Sequence, residues 1–97
     1  MEFPFTQETV ERVIKDYDLE IRIRETYHGR NGARGIGFET FRTSEVTRLW
    51  IGLAAECDAE DVTPEDMMDV VDRQSMDQMG RDVIVYYTNV SGFRPGE

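Results

Sequence analysis

The stretch Leu19–Thr40, "LEIRIRETYHGRNGARGIGFET", decides how this chain folds. Leu19, Ile21 and Ile23 interleave with Glu20, Arg22 and Arg24, the period-two alternation of a strand with one buried face. Asn31-Gly32 follows, the strongest two-residue hairpin signal, because both central positions of a type I′ turn need positive φ. If that step sets the register, facing residues have numbers summing to 63. Ile36 and Phe38 then share a face with Leu19, Ile21 and Ile23, and Arg24 opposes Glu39 on the other face. A slip of one residue would turn Ile36 and Phe38 to solvent. The four glycines of Tyr27–Phe38 also suggest a phosphate cradle. A P-loop needs GxxxxGK[ST], however, and a dinucleotide fingerprint needs a helix after its glycines. Here a strand follows, and hairpin geometry accounts for most of the glycines.

Upstream, Thr6 is placed to cap a helix, with Phe5 before it spaced to staple onto Val10 and an apolar stripe at Val10, Val13, Ile14 and Tyr17. Downstream, Thr43 or Ser44 caps a second helix with core positions Val46, Leu49, Trp50, Leu53, Ala54 and Cys57, and Trp50 is expected at the core's centre. After an acidic connector, Thr63-Pro64-Glu65-Asp66 reads as N-cap, proline at the first helical position and acids at the positive helix end. Met67, Met68, Val71 and Met79 supply that helix's apolar side, with a break near Gln74-Ser75 and Gly80 as a C-terminal stop. "DVIVYYTNV", Asp82–Val90, is β-branched and aromatic without clean alternation, the signature of a strand covered on both faces or central in its sheet. Residues 91–97 are expected to fray. The whole, residues 1–97, is one α+β domain of order α-β-β-α-α-β, a three-stranded, mainly antiparallel sheet with helices on one face.

This element order resembles that of type II KH domains, which imply single-stranded nucleic-acid binding through a GxxG loop joining their consecutive helices. The corresponding connector, Glu56–Glu65, "ECDAEDVTPE", is acidic and contains no glycine. The resemblance is confined to element order and carries no binding residue with it.

Charge is the most informative part of the composition. The net charge of −9 is concentrated: Met1–Ala55 holds nine acids and eight bases (net −1), whereas Glu56–Asp82 holds ten acids against Arg73 and Arg81 (net −8). Such a region repels nucleic acid and anionic membranes and attracts basic surfaces. No apolar run reaches membrane-spanning length, and "MEFPFTQET" lacks the regions of a signal peptide, so a soluble, cytoplasmic protein is expected. One cysteine, Cys57, excludes an internal disulfide and a cysteine-based zinc site. His28 is the only histidine, and neither it nor Cys57 has a partner arrangement for nucleophilic attack. No enzyme, cofactor or metal site is expected; the acids lack EF-hand spacing.

Two binding classes remain. The first is a partner-binding acidic face of Asp58, Glu60, Asp61, Glu65, Asp66, Asp69 and Asp72, docking on a basic protein surface, such as that of a nucleic-acid-binding complex. Phage- and mobile-element-encoded inhibitors of host defence, anti-CRISPR and antirestriction proteins among them, are similar in general type: small, acidic, single-domain chains that can mimic nucleic acid. The second is a nucleic-acid or phosphate-ligand module using a basic stripe of Arg22, Arg24, His28, Arg30 and Arg34. Acidity serving solubility at high salt is a third reading, and an exposed edge strand leaves room for a homodimer.

Overall fold

The computed structural model describes residues 3–28, 34–40, 42–76, 82–87 and 93. Its elements are α1 (Gln7–Asp16), β1 (Ile21–His28), β2 (Arg34–Thr40), α2 (Thr43–Ala55), α3 (Pro64–Asp72), β3 (Gln74–Met76) and β4 (Asp82–Tyr87). The fold is α+β with an antiparallel sheet, but the sheet has four strands where three were expected, in the order β1-β2-β4-β3. β4 is central, as its composition indicates, paired with β2 on one side and β3 on the other. The additional strand is the three-residue β3. α3 ends at Asp72, close to the break expected near Gln74-Ser75 and short of Gly80, and "QSM" becomes a strand by pairing with β4.

The first hairpin departs from the expected register. At its base the pairs are Ile21↔Thr40, Arg22↔Glu39 and Ile23↔Phe38, which sum to 61; beyond a bulge they are Thr26↔Ile36, Tyr27↔Gly35 and His28↔Arg34, which sum to 62. A two-residue turn at Asn31-Gly32 requires 63; that step and Arg30 lie outside the described residues. Sums of 61 and 63 have the same parity, so Ile21 and Ile23 still share the face of Phe38. Two residues of β1, Arg24 and Glu25, then oppose Gly37 alone, a bulge on an edge strand, where such bulges discourage pairing with other chains. Gly35 and Gly37 are therefore strand residues and not part of the turn.

Alternation along β2 and β4 builds the core. Ile36 faces Val85 and Phe38 faces Val83, and all four are fully buried. α2 covers this face, and Trp50 meets Phe38 edge-on with ring centroids 6.0 Å apart. The Trp50 indole N–H also donates to Gln74 Oε1 at 3.0 Å, tying α2 to β3. α1 contributes Val10 and Val13 to the same core, joined by Phe5 just before its N-cap, and α3 contributes Met67 and Val70. Phe93, within the terminal stretch expected to fray, is buried and meets Phe3 edge-on at 4.8 Å.

Helix ends follow local chemistry. The Thr6 and Thr63 hydroxyls accept from the Thr9 and Asp66 backbone N–H groups, so both expected caps are present. The cap expected on α2 is not: Thr43 is the first helical residue, and Thr40 organises the entry by accepting from Arg42 N–H and donating to Arg42 C=O. Glu45, in the first turn of α2, is buried; one carboxylate oxygen accepts from Glu20 N–H at 2.9 Å and the other from Arg48 at 3.1 Å. Arg48 also donates to Tyr17 C=O at 2.9 Å, so this pair clasps both sides of the α1–β1 turn. The Glu20 backbone N–H chiefly, then Arg48, holds the Glu45 carboxyl below the usual carboxylate range against the opposing effect of burial.

That turn is a Schellman motif: Leu19 N–H donates to Ile14 C=O and Asp18 N–H to Lys15 C=O, with Asp18 left-handed at φ 52°. Glycine adopts this conformation without steric cost, whereas a Cβ next to the carbonyl is penalised. Asp18→Gly is expected to stabilise the domain by roughly 0.5–1 kcal/mol, and Asp18→Ala to destabilise it by a similar amount. Both remove the same charge, so opposite shifts in urea midpoint isolate the backbone effect; shifts of equal sign would assign it to charge.

Candidate functional site

The acidic region is assembled from the end of α2, the connector after it and α3. Beyond Ala55 the chain continues as a tight turn in which Glu60 N–H donates to Glu56 C=O and Val62 N–H to Cys57 C=O. A second left-handed aspartate, Asp61 at φ 57°, ends this turn in the same Schellman pattern as Asp18. Val62 is buried and anchors the connector, after which the Thr63 cap starts α3. Burial first, then the negative charges of Asp58 and Asp66, push the Cys57 thiol above its usual range. Connector and helix acids therefore converge around one half-buried thiol, which is held protonated and donates to Leu53 C=O.

The structure divides the acids into two populations. Glu56 and Glu60 share Arg12 of α1, at 2.9 and 3.3 Å, and Asp69 pairs with Arg73 at 2.9 Å. All three pairs neutralise part of the region, and the two made by Arg12 fasten α1 to the connector. By contrast, Asp58, Asp61, Glu65, Asp66 and Asp72 have no cation within 4 Å among the described residues, and all but the half-buried Asp66 are exposed. Of the seven candidate acids, four thus present charge to solvent without a described cationic partner, Asp66 is half-buried without one, and Glu60 and Asp69 are committed to arginines.

α3 turns Met67 and Val70 inwards. Sequence spacing puts Met68 with the core, but it is 58% exposed, and Val70, absent from the expected core set, is buried instead. Met67, Val70 and Val71 fit the i, i+3, i+4 stripe, which leaves Met68 on the outer side; Met79 lies outside the described residues. Pro64, Glu65, Met68, Asp69 and Asp72 line a shallow depression of about 340 Å³ on that side. Ala54, expected in the core of α2, is exposed as well.

The basic stripe has a different electrostatic character. Glu39 sits between its first two members, its Oε2 lying 3.0 Å from Arg22 and 3.8 Å from Arg24. The pair expected between Arg24 and Glu39 is present, but register makes Arg22 the direct partner. Past the bulge, His28 pairs with Arg34 across the hairpin, and Arg30 is outside the described residues. The nearby hollow of about 350 Å³, lined by Leu19, Glu20, Ile21, Arg22 and Glu39, is of mixed charge.

Among the described residues, no group of three or more His, Cys, Asp and Glu side chains could hold a metal ion. None of the helices there is long and apolar enough to cross a membrane. No family model matches the chain, and neither a curated protein nor a solved structure matches it.

Proposed function

We propose that this protein is a non-catalytic interaction module whose acidic α2–α3 region docks on a basic, nucleic-acid-binding surface of a partner protein in the cytoplasm. Such docking is how a phage- or mobile-element-encoded inhibitor would occupy a host defence complex of the CRISPR or restriction type. The observation that carries the reading is the concentration of charge: Asp58, Asp61, Glu65 and Asp72 are exposed without a described cationic partner in a region that holds ten acids against two arginines, whereas Glu8, Glu11, Asp16 and Asp18, likewise exposed without one, belong to a segment of nearly balanced charge. Unpaired surface carboxylates cost little in water and create a negative potential that steers a basic partner. The arginine stripe supports a nucleic-acid role less well, because Glu39 offsets Arg22 and Arg24.

The test separates a local site from net charge. Neutralising Asp58, Asp61, Glu65 and Asp72 to Asn or Gln changes the net charge from −9 to −9 + 4 = −5. Neutralising Glu8, Glu11, Asp16 and Asp18, exposed on and just beyond α1, gives the same total. Binding to an arginine-rich peptide, followed by calorimetry at low and high salt, should weaken about tenfold or more in the first variant and far less in the second. Equal weakening would reduce the effect to overall charge and overturn the reading. Salt-sensitive binding of an oligonucleotide, lost in Arg22→Ala, would favour the arginine stripe instead.

A further inference from the structure

The reading above leaves open what kind of basic surface fits, and the solvent side of α3 answers that. We propose that it seats a basic amphipathic helix of a protein partner, with Met68 as the apolar anchor between Glu65 and Asp72. The proposal rests on the acidic-docking reading and specifies its partner. Tyr17, Ile51 and Met68 are the exposed large hydrophobic side chains among the described residues, and Met68 lies in the depression lined by Pro64, Glu65, Asp69 and Asp72. A thioether of this kind adapts its shape to different apolar partners.

The spacing along α3 matches that of a helix laid beside it. Glu65, Met68 and Asp72 stand at i, i+3 and i+7 along α3, so the two carboxylates lie about 10 Å apart along the axis at 1.5 Å rise per residue, with the apolar side chain between them. A second helix laid along this ridge presents groups at the same spacing: basic residues seven apart with an aliphatic residue between them, the helix-in-groove mode. Charge selects the rest. Glu65 and Asp72 have no described cationic partner, and Asp69 is shared with Arg73, so the ridge complements arginine or lysine. It repels nucleic acid, anionic membranes and a second copy of itself. A contact along a helix of nine residues is small, so the complex belongs to the weak, transient class.

Two labelled helical peptides test this in full-length protein by fluorescence anisotropy: one with arginines seven apart and a leucine between them, and one with serine replacing that leucine. The wild type is expected to bind the leucine peptide about fivefold more tightly than the serine peptide. Met68→Ser should erase that preference, and Glu65→Gln with Asp72→Asn should weaken both peptides together. Because Met68 is exposed, its replacement should leave the Trp50 emission of the folded protein unchanged, which checks the fold directly. A wild type that does not discriminate, or a Met68→Ser variant that still does, overturns the anchored-helix proposal; acidic docking then stands if Glu65→Gln with Asp72→Asn still weakens both peptides. If binding resists every acidic substitution, the acidic-docking reading falls too.

Discussion

Phe38→Ala should cost about 3–5 kcal/mol, a fifth or more of the stability of a domain whose total is about 5–15 kcal/mol. The side chain is 1% exposed and sits where the sheet meets the helical layer. Its backbone faces Ile23 across one hydrogen-bonded edge of β2 and Val83 across the other, and its ring meets Trp50 of α2. Truncation removes the transfer free energy of a whole ring and the edge-on aromatic contact, and the paired strands on both sides limit how far the site can collapse. Urea unfolding followed by the fluorescence of the single tryptophan measures the effect. Phe38→Leu, which keeps most of the volume, should lose much less. A loss below about 1 kcal/mol for Phe38→Ala would mean that α2 does not pack on this face as described.

Elements governed by local chemistry were legible in the sequence. Thr6 and Thr63 cap their helices because hydroxyl and backbone N–H lie within a few residues of each other, and Pro64 needs no partner at the first helical position. β4 could be recognised as central because burial on both sides favours a continuous run of β-branched and aromatic residues. β3 could not. "QSM" has no intrinsic strand preference, and its conformation comes from the β4 backbone and from the Trp50 bond to Gln74, a partner 24 residues away. The hairpin register was missed for a related reason. Asn31-Gly32 predicts a sum of 63 along the whole hairpin, whereas the pairs nearest the turn sum to 62 and the bulge at Arg24-Glu25 takes the sum to 61, which restores the expected buried parity at the base. Burial of Ile21, Ile36 and Phe38, rather than turn preference, decides the pairing.

The candidate surface was legible as composition and not as geometry. A charge of −8 within Glu56–Asp82 is visible in the sequence, but which acids are neutralised depends on Arg12, which reaches Glu56 and Glu60 across 44 and 48 residues. Likewise Glu45 looks like an ordinary first-turn acid, and its burial follows from the Glu20 N–H that the α1–β1 turn brings to it. Apolar character alone puts Met68 with Met67 on the buried side, and its exposure shows that composition does not orient the helix. The stripe through Met67, Val70 and Val71 was available in the sequence and gives the correct side of the helix. Thus the acids that remain available for a partner emerge only after long-range pairs are subtracted, and the apolar residue among them emerges only once α3 is oriented.

Orientation of α2 against α1 gives the second large effect. Gly52→Ala is expected to destabilise the domain by about 1–3 kcal/mol, although at an unencumbered helix position the same change would stabilise by about 1 kcal/mol. Gly52 is buried where α2 crosses α1, and a Cβ placed there would lie 2.5 Å from Val13 Cγ1 and 3.4 Å from Tyr17 Cε1. Val13 has a short, branched side chain that is 1% exposed, so it has neither a flexible end nor free space in which to yield. The helices must separate, or Val13 must leave its rotamer, and either movement disturbs the clasp in which Arg48 of α2 holds the Tyr17 carbonyl at the end of α1. A double-mutant cycle decides between close approach and a simple change of helix propensity. Val13→Ala alone leaves a cavity and is destabilising. In the presence of Gly52→Ala its cost should shrink by about 1 kcal/mol or more, because the new methyl occupies the space the valine gave up. Additive effects would place the two helices farther apart than this packing requires, and a net gain from Gly52→Ala would show that propensity outweighs contact at the crossing.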